Sequence, residues 1–239
     1  MANYIYGKNT LKQLLADDRQ RIEKVFILSQ ERVIIEQLKQ ANISYVISNK
    51  EQLLLLVKHS KHQGIVCLIK EYSYTSLEVV LQKVKTKKYP LILILDQIED
   101  PRNFGAILRS CDAVNVDAVI ILKQRQVELN ATVAKTSVGA INYVPVVKVT
   151  SLSNTLTTLK ESGFWIVASA LNTEINYYNV DYKKPIALIV GNEGKGVSHK
   201  LLNNSDYIVK VPMQGHINSL NVAVASALLL YQVRNNQNN

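Results

Sequence analysis

Strand-like and helix-like patterns alternate along nearly the whole chain. This predicts an α/β protein, with a C-terminal domain on a mostly parallel sheet and a small N-terminal α/β domain. Two observations sharpen the division. LILILD (91–96) is apolar without alternation, as in a strand buried on both faces. Before it, EYSYTSLEVVLQKVKTKKYP (71–90) passes from a polar stretch to a Lys-rich break ending in Pro90, the composition of an inter-domain linker. The predicted domains are 1–72 and 91–235, with a linker over 73–90 and a disordered tail at 236–239.

In the first domain NTLKQLLAD reads as a helix with Asn9 or Thr10 available as N-cap. KVFIL (24–28) is a strand, ERVIIEQLKQAN an amphipathic helix, SYVIS a short strand, KEQLLLLVK a helix and HQGIVCLI (62–69) a strand. Leu77, Val80, Leu81 and Val84 have helical spacing within the linker. In the second domain FGAILRSCDAV puts Phe104, Ile107, Leu108, Cys111 and Val114 on one helical stripe. Further strands are predicted over 117–122, 143–147, 164–170, 186–191 and 207–211, and helices over 128–138, 151–162, 197–203 and 219–234.

Composition narrows the function classes. Of 239 residues 47% are hydrophobic, yet no run of about 18 apolar residues occurs, so a soluble protein without a membrane partner is expected. MANYIYGKNT lacks the basic-then-apolar pattern of a signal peptide. Cys67 and Cys111 lie in apolar stretches, read as reduced, buried thiols of a cytoplasmic protein, and no metal site is expected. The net charge of +9 points to a polyanionic partner. The excess sits early: residues 1–90 carry 15 Lys and Arg against 8 Asp and Glu, residues 91–239 carry 13 against 11.

Ligands of open parallel sheets bind beyond the carboxyl ends of the strands, and three chemically unusual segments fall there. IALIVGNEGKGVS (186–198) follows a strand with Gly191, Gly194 and Gly196, but Glu193 stands in the middle and Lys195 is followed by Gly196. It fits neither a Walker loop nor a dinucleotide loop. A carboxylate there suits a ligand without phosphate, such as a cation; the plain alternative is a tight turn whose glycines take positive φ. In LDQIEDPRNFGAILRS (95–110), Pro101 fixes the turn, Asn103 can cap the helix, Gly105 permits close approach and Arg109 lies off the apolar stripe. In VPMQGHINSLNVAVASALLLY (211–231), Ser219 reads as N-cap and Asn221 as a first-turn polar residue of a tightly packed helix.

These three segments, in this order, resemble the SpoU, or TrmH-type, RNA 2′-O-ribose methyltransferases of the SPOUT superfamily. DPRNFGAILRS is similar to the family's first motif, IVGNEGKG to its second and VPMQGHINSLNVAVA to its third; Ala223 stands where many relatives have Ser. YIYGKNTLKQLL and HQGIVCLI resemble the ribosomal-protein-L30e-like RNA-binding domain of the branch that modifies 23S rRNA. The resemblance implies a trefoil-knotted catalytic domain, a homodimer, and S-adenosyl-L-methionine (S-adenosylmethionine) held around Gly191, Asn192, Glu193, Gly194, Val211, Met213, Gly215, Ser219 and Leu220. It implies Arg109 as the catalytic arginine, with Asn103, Glu193, Ser219 and Asn221 around it. The implied partner is RNA, a guanosine of 23S rRNA first, and no DNA. A tRNA methyltransferase, an antibiotic-resistance rRNA methylase and a non-catalytic ribosome-assembly factor remain open. Tyr4, Tyr6, Tyr72 and Tyr74 are base-stacking candidates or half-buried packing; His59 and His62 read as polar surface.

Overall fold

The computed structural model describes residues 3–58 and 60–239, which leaves His59 outside. The chain forms two compact units, Met1–Tyr72 and Ser73–Asn239.

The first unit has strands β1 (Asn3–Tyr6), β2 (Ile22–Leu28), β3 (Tyr45–Ser48) and β4 (Ile65–Ile69), with helices α1 (Lys8–Asp17), α2 (Arg32–Gln40) and α3 (Lys50–Val57). The sheet order is β1-β4-β2-β3; β4 runs antiparallel to β1 and β2, while β3 is parallel to β2. Side chains alternate between faces along a strand. Val25, Ile27, Ile65 and Cys67 therefore meet Leu11 and Leu14 of α1 and Ile34 and Leu38 of α2. Leu28 and Val66 point the other way, onto Leu53 of α3. Strand β1 has no clear period of its own in the sequence, and pairing with β4 makes it a strand.

Two expectations for this unit change, and of the two readings of its tyrosines packing holds. Helix α1 starts after Gly7 (φ 102°), so neither Asn9 nor Thr10 caps it; instead Gln63 Oε1 accepts the Lys8 N–H at 3.1 Å. His62 is buried rather than surface, its Nδ1 accepting the Gly64 N–H. Tyr72 donates its hydroxyl to Asp18 and lies 3.6 Å beneath the Arg21 guanidinium, while Tyr4 packs edge-on against Phe26. Of the stacking candidates, these two and Tyr6 are packing residues.

The second unit has a six-stranded sheet of β5 (Leu91–Asp96), β6 (Ala118–Leu122), β7 (Val146–Val149), β8 (Trp165–Ser169), β9 (Ile186–Gly191) and β10 (Tyr207–Val209). Every strand pairing is parallel, in the order β10-β8-β9-β5-β6-β7. From β5 the chain moves outward to β6 and β7, whereas β9, β8 and β10 lie on its other side. The strand order therefore reverses between β5 and β9, where parallel sheets open a crevice. Helices α4 (Leu77–Val84), α7 (Leu152–Glu161) and α8 (His199–Leu202) cover one face. Helices α5 (Pro101–Ala113), α6 (Ala131–Ser137) and α9 (Val222–Asn238) pack together. Tyr74 belongs here: its hydroxyl accepts the Leu129 N–H and its ring lies under Lys148.

Residues 73–90 are not a free linker. Val80 and Val84 of α4 are buried in the second core with Ile92 and Leu156, so the helix belongs to the second unit. Nor is 236–239 a disordered tail, since α9 runs to Asn238. Gln237 is buried, donating to the carbonyls of Tyr182 and Lys184, and Asn236 accepts the Tyr182 N–H. Arg234 donates to the carbonyls of Tyr89, Val114 and Asn115. A polar tail is ordered here because it meets backbone groups that would otherwise lack partners. Among the described residues no helix is long and apolar enough to cross a membrane.

Arg234→Ala strands three carbonyls at once, and the expected cost is about 2 kcal/mol in urea unfolding of the second unit; an unchanged midpoint would contradict this role. In the first unit burial pushes the Cys67 thiol up to about 12. The Tyr72 phenol is also raised to about 12, by burial first, with Asp18 adding and Arg21 opposing. The unfolded chain releases these protons near pH 8.5 and 10, so it binds fewer protons than the folded unit in between. Stability is full below about pH 8.5 and falls as pH rises toward 12. Hydrogen exchange of β2 and β4 amides should quicken beyond the intrinsic rate across that range, and Cys67→Ala with Tyr72→Phe should flatten the trend.

Candidate active site

Because the second sheet is wholly parallel, the segments after β5, β9 and β10 all leave from one edge. Asp96 and Gly191, the last residues of β5 and β9, are paired in register at the centre of that edge. Asp96 is 3% exposed, and its Oδ2 accepts the Ser198 N–H at 2.9 Å, tying the far end of the β9 loop to β5.

The β9 loop turns back sharply, with Asn192 and Gly196 bridged. A Cβ on Gly191 would lie 2.1 Å from the Gly196 carbonyl carbon, so no other residue fits there. Gly191 is thus required for the loop's own backbone, and only Gly196 (φ 68°) among the three glycines needs left-handed freedom. Asn192 holds the turn from inside. Its Oδ1 accepts the N–H groups of Gly194 and Lys195, its carbonyl accepts that of Gly196, and its Nδ2 donates to the Gln97 carbonyl.

This accounting decides the phosphate question. A phosphate cradle presents free backbone N–H groups, whereas those of Gly194, Lys195, Gly196 and Ser198 are all taken. The charged side chains that the loop exposes are Glu193 and Lys195.

Asp100, not Asn103, caps α5, accepting the Arg102 N–H with Pro101 in the first turn. That frees the Asn103 side chain, whose Nδ2 donates to Glu193 Oε1 at 2.7 Å. Likewise Asn221, not Ser219, caps α9; its Oδ1 accepts from Ala223 and Val224 and its Nδ2 donates to Asn103 Oδ1 at 3.1 Å. One residue from each loop is thereby joined in the series Asn221, Asn103, Glu193. Gly105 faces Thr136 and the Val133 carbonyl of α6, where a Cβ would come within 2.6 Å, so α5 and α6 approach closely as expected.

Arg109 is not drawn into this series. It lies six residues beyond Asn103, about 9 Å along α5, exposed and without a hydrogen bond or ion pair among the described residues. Val211, Met213 and Leu220 are half-buried, and Gly215 and Ser219 exposed, in the segment between β10 and α9. Asp96 was missed by the sequence reading; its only signal was a carboxylate closing an otherwise apolar strand. Among the described residues no group of His, Cys, Asp and Glu could hold a metal.

Residues 90–231 match the model of the SpoU rRNA Methylase family. The chain belongs to that family. Residues 4–75 match a second model, described as RNA 2′-O ribose methyltransferase substrate binding. This SpoU chain is 37% identical to a protein of Staphylococcus epidermidis assigned to the TrmH family of tRNA/rRNA methyltransferases, over 96% of this chain and 94% of that one. To YacO of Bacillus subtilis, assigned likewise, it is 36% identical over 99% and 96%. The fold is shared with the SpoU methyltransferase AviRb of Streptomyces viridochromogenes, solved with AdoMet (TM-score 0.68, 20% identity, 98% and 89% coverage). The chain is an RNA 2′-O-ribose methyltransferase by family.

Gly191→Ala should lower the melting temperature and displace the amide resonances of residues 192–198. Gly215→Ala, at a position with nothing within 4 Å of the added carbon, should change neither. A Gly191 variant with native spectra would remove the crowding argument.

Proposed function

We propose that this SpoU methylase transfers a methyl group from S-adenosylmethionine to the ribose 2′-hydroxyl of a guanosine in 23S rRNA. The observation that carries the reading is the hydrogen-bonded series Asn221–Asn103–Glu193, which gathers the three motif loops at the strand-order reversal. Bound, S-adenosylmethionine supplies an electrophilic methyl group on a cationic sulfur. The β9 loop fits such a ligand: the N–H groups of Gly194, Lys195, Gly196 and Ser198 are taken internally, and Glu193 and Asp96 bring two carboxylates to the strand ends. Gly191, Asn192, Glu193 and Gly194 would hold it from the β9 loop, with Val211, Met213, Gly215, Ser219 and Leu220 from the segment before α9.

A ribose hydroxyl is a weak nucleophile at neutral pH, so the site must orient it and favour the charge that develops on its oxygen. Arg109 is cationic and unengaged, suited to stabilising that alkoxide. Glu193, fixed by Asn103, keeps its second oxygen available to a ribose hydroxyl. Ser219 and Asn221 set the entry to α9. The basic N-terminal unit, matched to a substrate-binding family, supports rRNA as the partner. An exposed apolar stripe on α9, Val224, Leu228 and Tyr231, supports a homodimer. The place of action is the cytoplasm, where buried thiols such as Cys67 and Cys111 stay reduced.

Labelled methyl donor, purified protein and RNA from cells lacking the gene test the substrate: label should enter 23S rRNA at one guanosine ribose. Label in tRNA alone would establish the tRNA reading, and no transfer to any RNA would leave a non-catalytic binder. Arg109→Ala should lower the transfer rate about 10²–10³-fold with donor binding by calorimetry nearly unchanged. Asn103→Asp, which sets a second carboxylate against Glu193, should lower transfer and weaken donor binding together.

A further inference from the structure

Among the described residues, seven other than glycine have positive φ. Asn42, Lys58, Asn115 and Val138 stand at the C-terminal ends of α2, α3, α5 and α6, where a left-handed residue is an ordinary way to end a helix. Gln63 shapes the turn before β4 and accepts the Lys8 N–H. The remaining two, Gln97 (φ 64°) and Arg125 (φ 55°), follow β5 and β6, paired strands that end on the edge of the motif loops. The fold accounts for Gln97, to whose carbonyl the Asn192 Nδ2 donates.

Arg125 has no such task. It is exposed and makes no hydrogen bond or ion pair among the described residues. The left-handed region is sterically costly for a side chain of this size, and residues kept there cluster at functional sites whose surroundings leave them no alternative. The surroundings of Arg125 are of that kind. On one side the Lys123 N–H donates to the Val149 carbonyl. On the other, Gln126 Oε1 accepts the Ile98 N–H at 2.8 Å and the Val127 N–H donates to the Ile98 carbonyl at 2.9 Å. The Leu129 N–H, given to the Tyr74 hydroxyl, and the Asn130 cap of α6 hold the rest of the loop. Between these fastenings Lys123, Gln124 and Arg125 are all exposed.

We infer that Arg125, with Lys123 beside it, grips a backbone phosphate adjoining the ribose that is methylated. The inference rests on the RNA methyltransferase reading and adds a substrate-holding residue to it. Ile98 belongs to the same segment as Asn103, so its two hydrogen bonds fix the Arg125 loop against the part of the chain that orients Glu193. Strands β9, β5 and β6 are adjacent, so Glu193 and Arg125 leave strands about 10 Å apart. A ribose and its phosphate cover part of that distance and the length of an arginine side chain closes the rest. A guanidinium offers a planar fork that takes two phosphate oxygens at once. Residues 123–127 include no acidic side chain to neutralise it or Lys123. A phosphate held here sets the nucleotide in register with Glu193 and Arg109 without reading its base. Glycine would relieve the backbone at this position but could hold no phosphate, which gives the arginine a reason to be there.

Arg125→Asn and Arg125→Gly separate binding from folding, since both replacements accept the left-handed region more readily than arginine. Neither should lower the melting temperature of the full chain. Each should raise KM for the RNA that accepts label about tenfold, with kcat within about twofold, as for a lost charged contact made equally in ground and transition state. Each should also reduce the slope of log Kd against log salt by about 0.7–0.9, the worth of one phosphate. Arg125→Lys, which keeps the charge and loses the fork, should retain that slope and raise KM only about two- to threefold. A melting temperature that falls as KM rises overturns the inference in favour of a structural role. Unchanged KM and salt slope overturn it too, as does Arg125→Lys being as impaired as Arg125→Asn. If the wild type transfers no methyl group to any RNA, the transfer reading fails by itself. The salt slope of binding to 23S rRNA, compared between wild type and Arg125→Asn, then decides the phosphate contact.

Discussion

The end of β9 has no room for a side chain, and the chemistry of the second unit follows from that constraint. The loop after Gly191 returns so closely that the Gly196 backbone occupies the space a Cβ would take. To fold this tightly it uses its own N–H groups, on Asn192 and on the buried carboxylate of Asp96. A glycine-rich loop usually suggests a nest of donors for an anion. Here the N–H groups of Gly194, Lys195, Gly196 and Ser198 are spent, and the Glu193 carboxylate remains exposed. The same geometry that resembles a phosphate loop therefore produces a site suited to a cationic ligand and to hydroxyl donors.

The polarity of the series that joins the loops is forced from both ends. Backbone N–H groups of Ala223 and Val224 can only donate, so the Asn221 oxygen faces them and its amide nitrogen faces Asn103. A carboxylate can only accept, so Asn103 turns its nitrogen to Glu193. Asn103 alone satisfies both neighbours, because an amide of this length carries a donor and an acceptor side by side. Glu193 is exposed yet fixed in direction, whereas Arg109 is exposed and unengaged. The proposed mechanism thus pairs a preset acceptor with a cation that no contact holds in place.

Strand–helix alternation identified almost every element of the second unit, because a parallel sheet buried on both faces leaves continuous apolar runs such as LILILD. Glycine spacing and motif order marked the loops, but the positive φ offered for their glycines holds only at Gly196, and Gly191 is needed for want of space. Steric crowding between residues five apart has no signature in composition. Caps were misassigned for a related reason. Asn9, Asn103 and Ser219 each have a cap-type side chain, and so do Asp100 and Asn221 nearby; which one caps is settled by where the chain turns. Asn103 and Ser219, once released from capping, are free for the site. The tail NNQNN looked unstructured, and the helix within 73–90 looked like part of a linker, because polar and Lys-rich composition reports solvent preference. Neither the carbonyls awaiting Arg234 and Gln237 nor the core awaiting Val80 and Val84 is visible locally.

Those carbonyls connect the tail to the site. Tyr89, Val114 to Asn115, and Tyr182 to Lys184 lead into β5, β6 and β9, at the strand ends opposite the motif loops. Arg234 and Gln237 bind all three entries together, and bind each other. A six-residue strand spans about 20 Å, and its two ends are not independent, because a one-residue slip in register moves every side chain to the other face. Such a slip between β5 and β9 would part Asp96 from Gly191 and pull the Ser198 tether out of reach. The polar clamp at one edge of the sheet and the crowded glycine at the other therefore enforce the same register. The first makes the strands enter together, and the second makes any other exit sterically impossible.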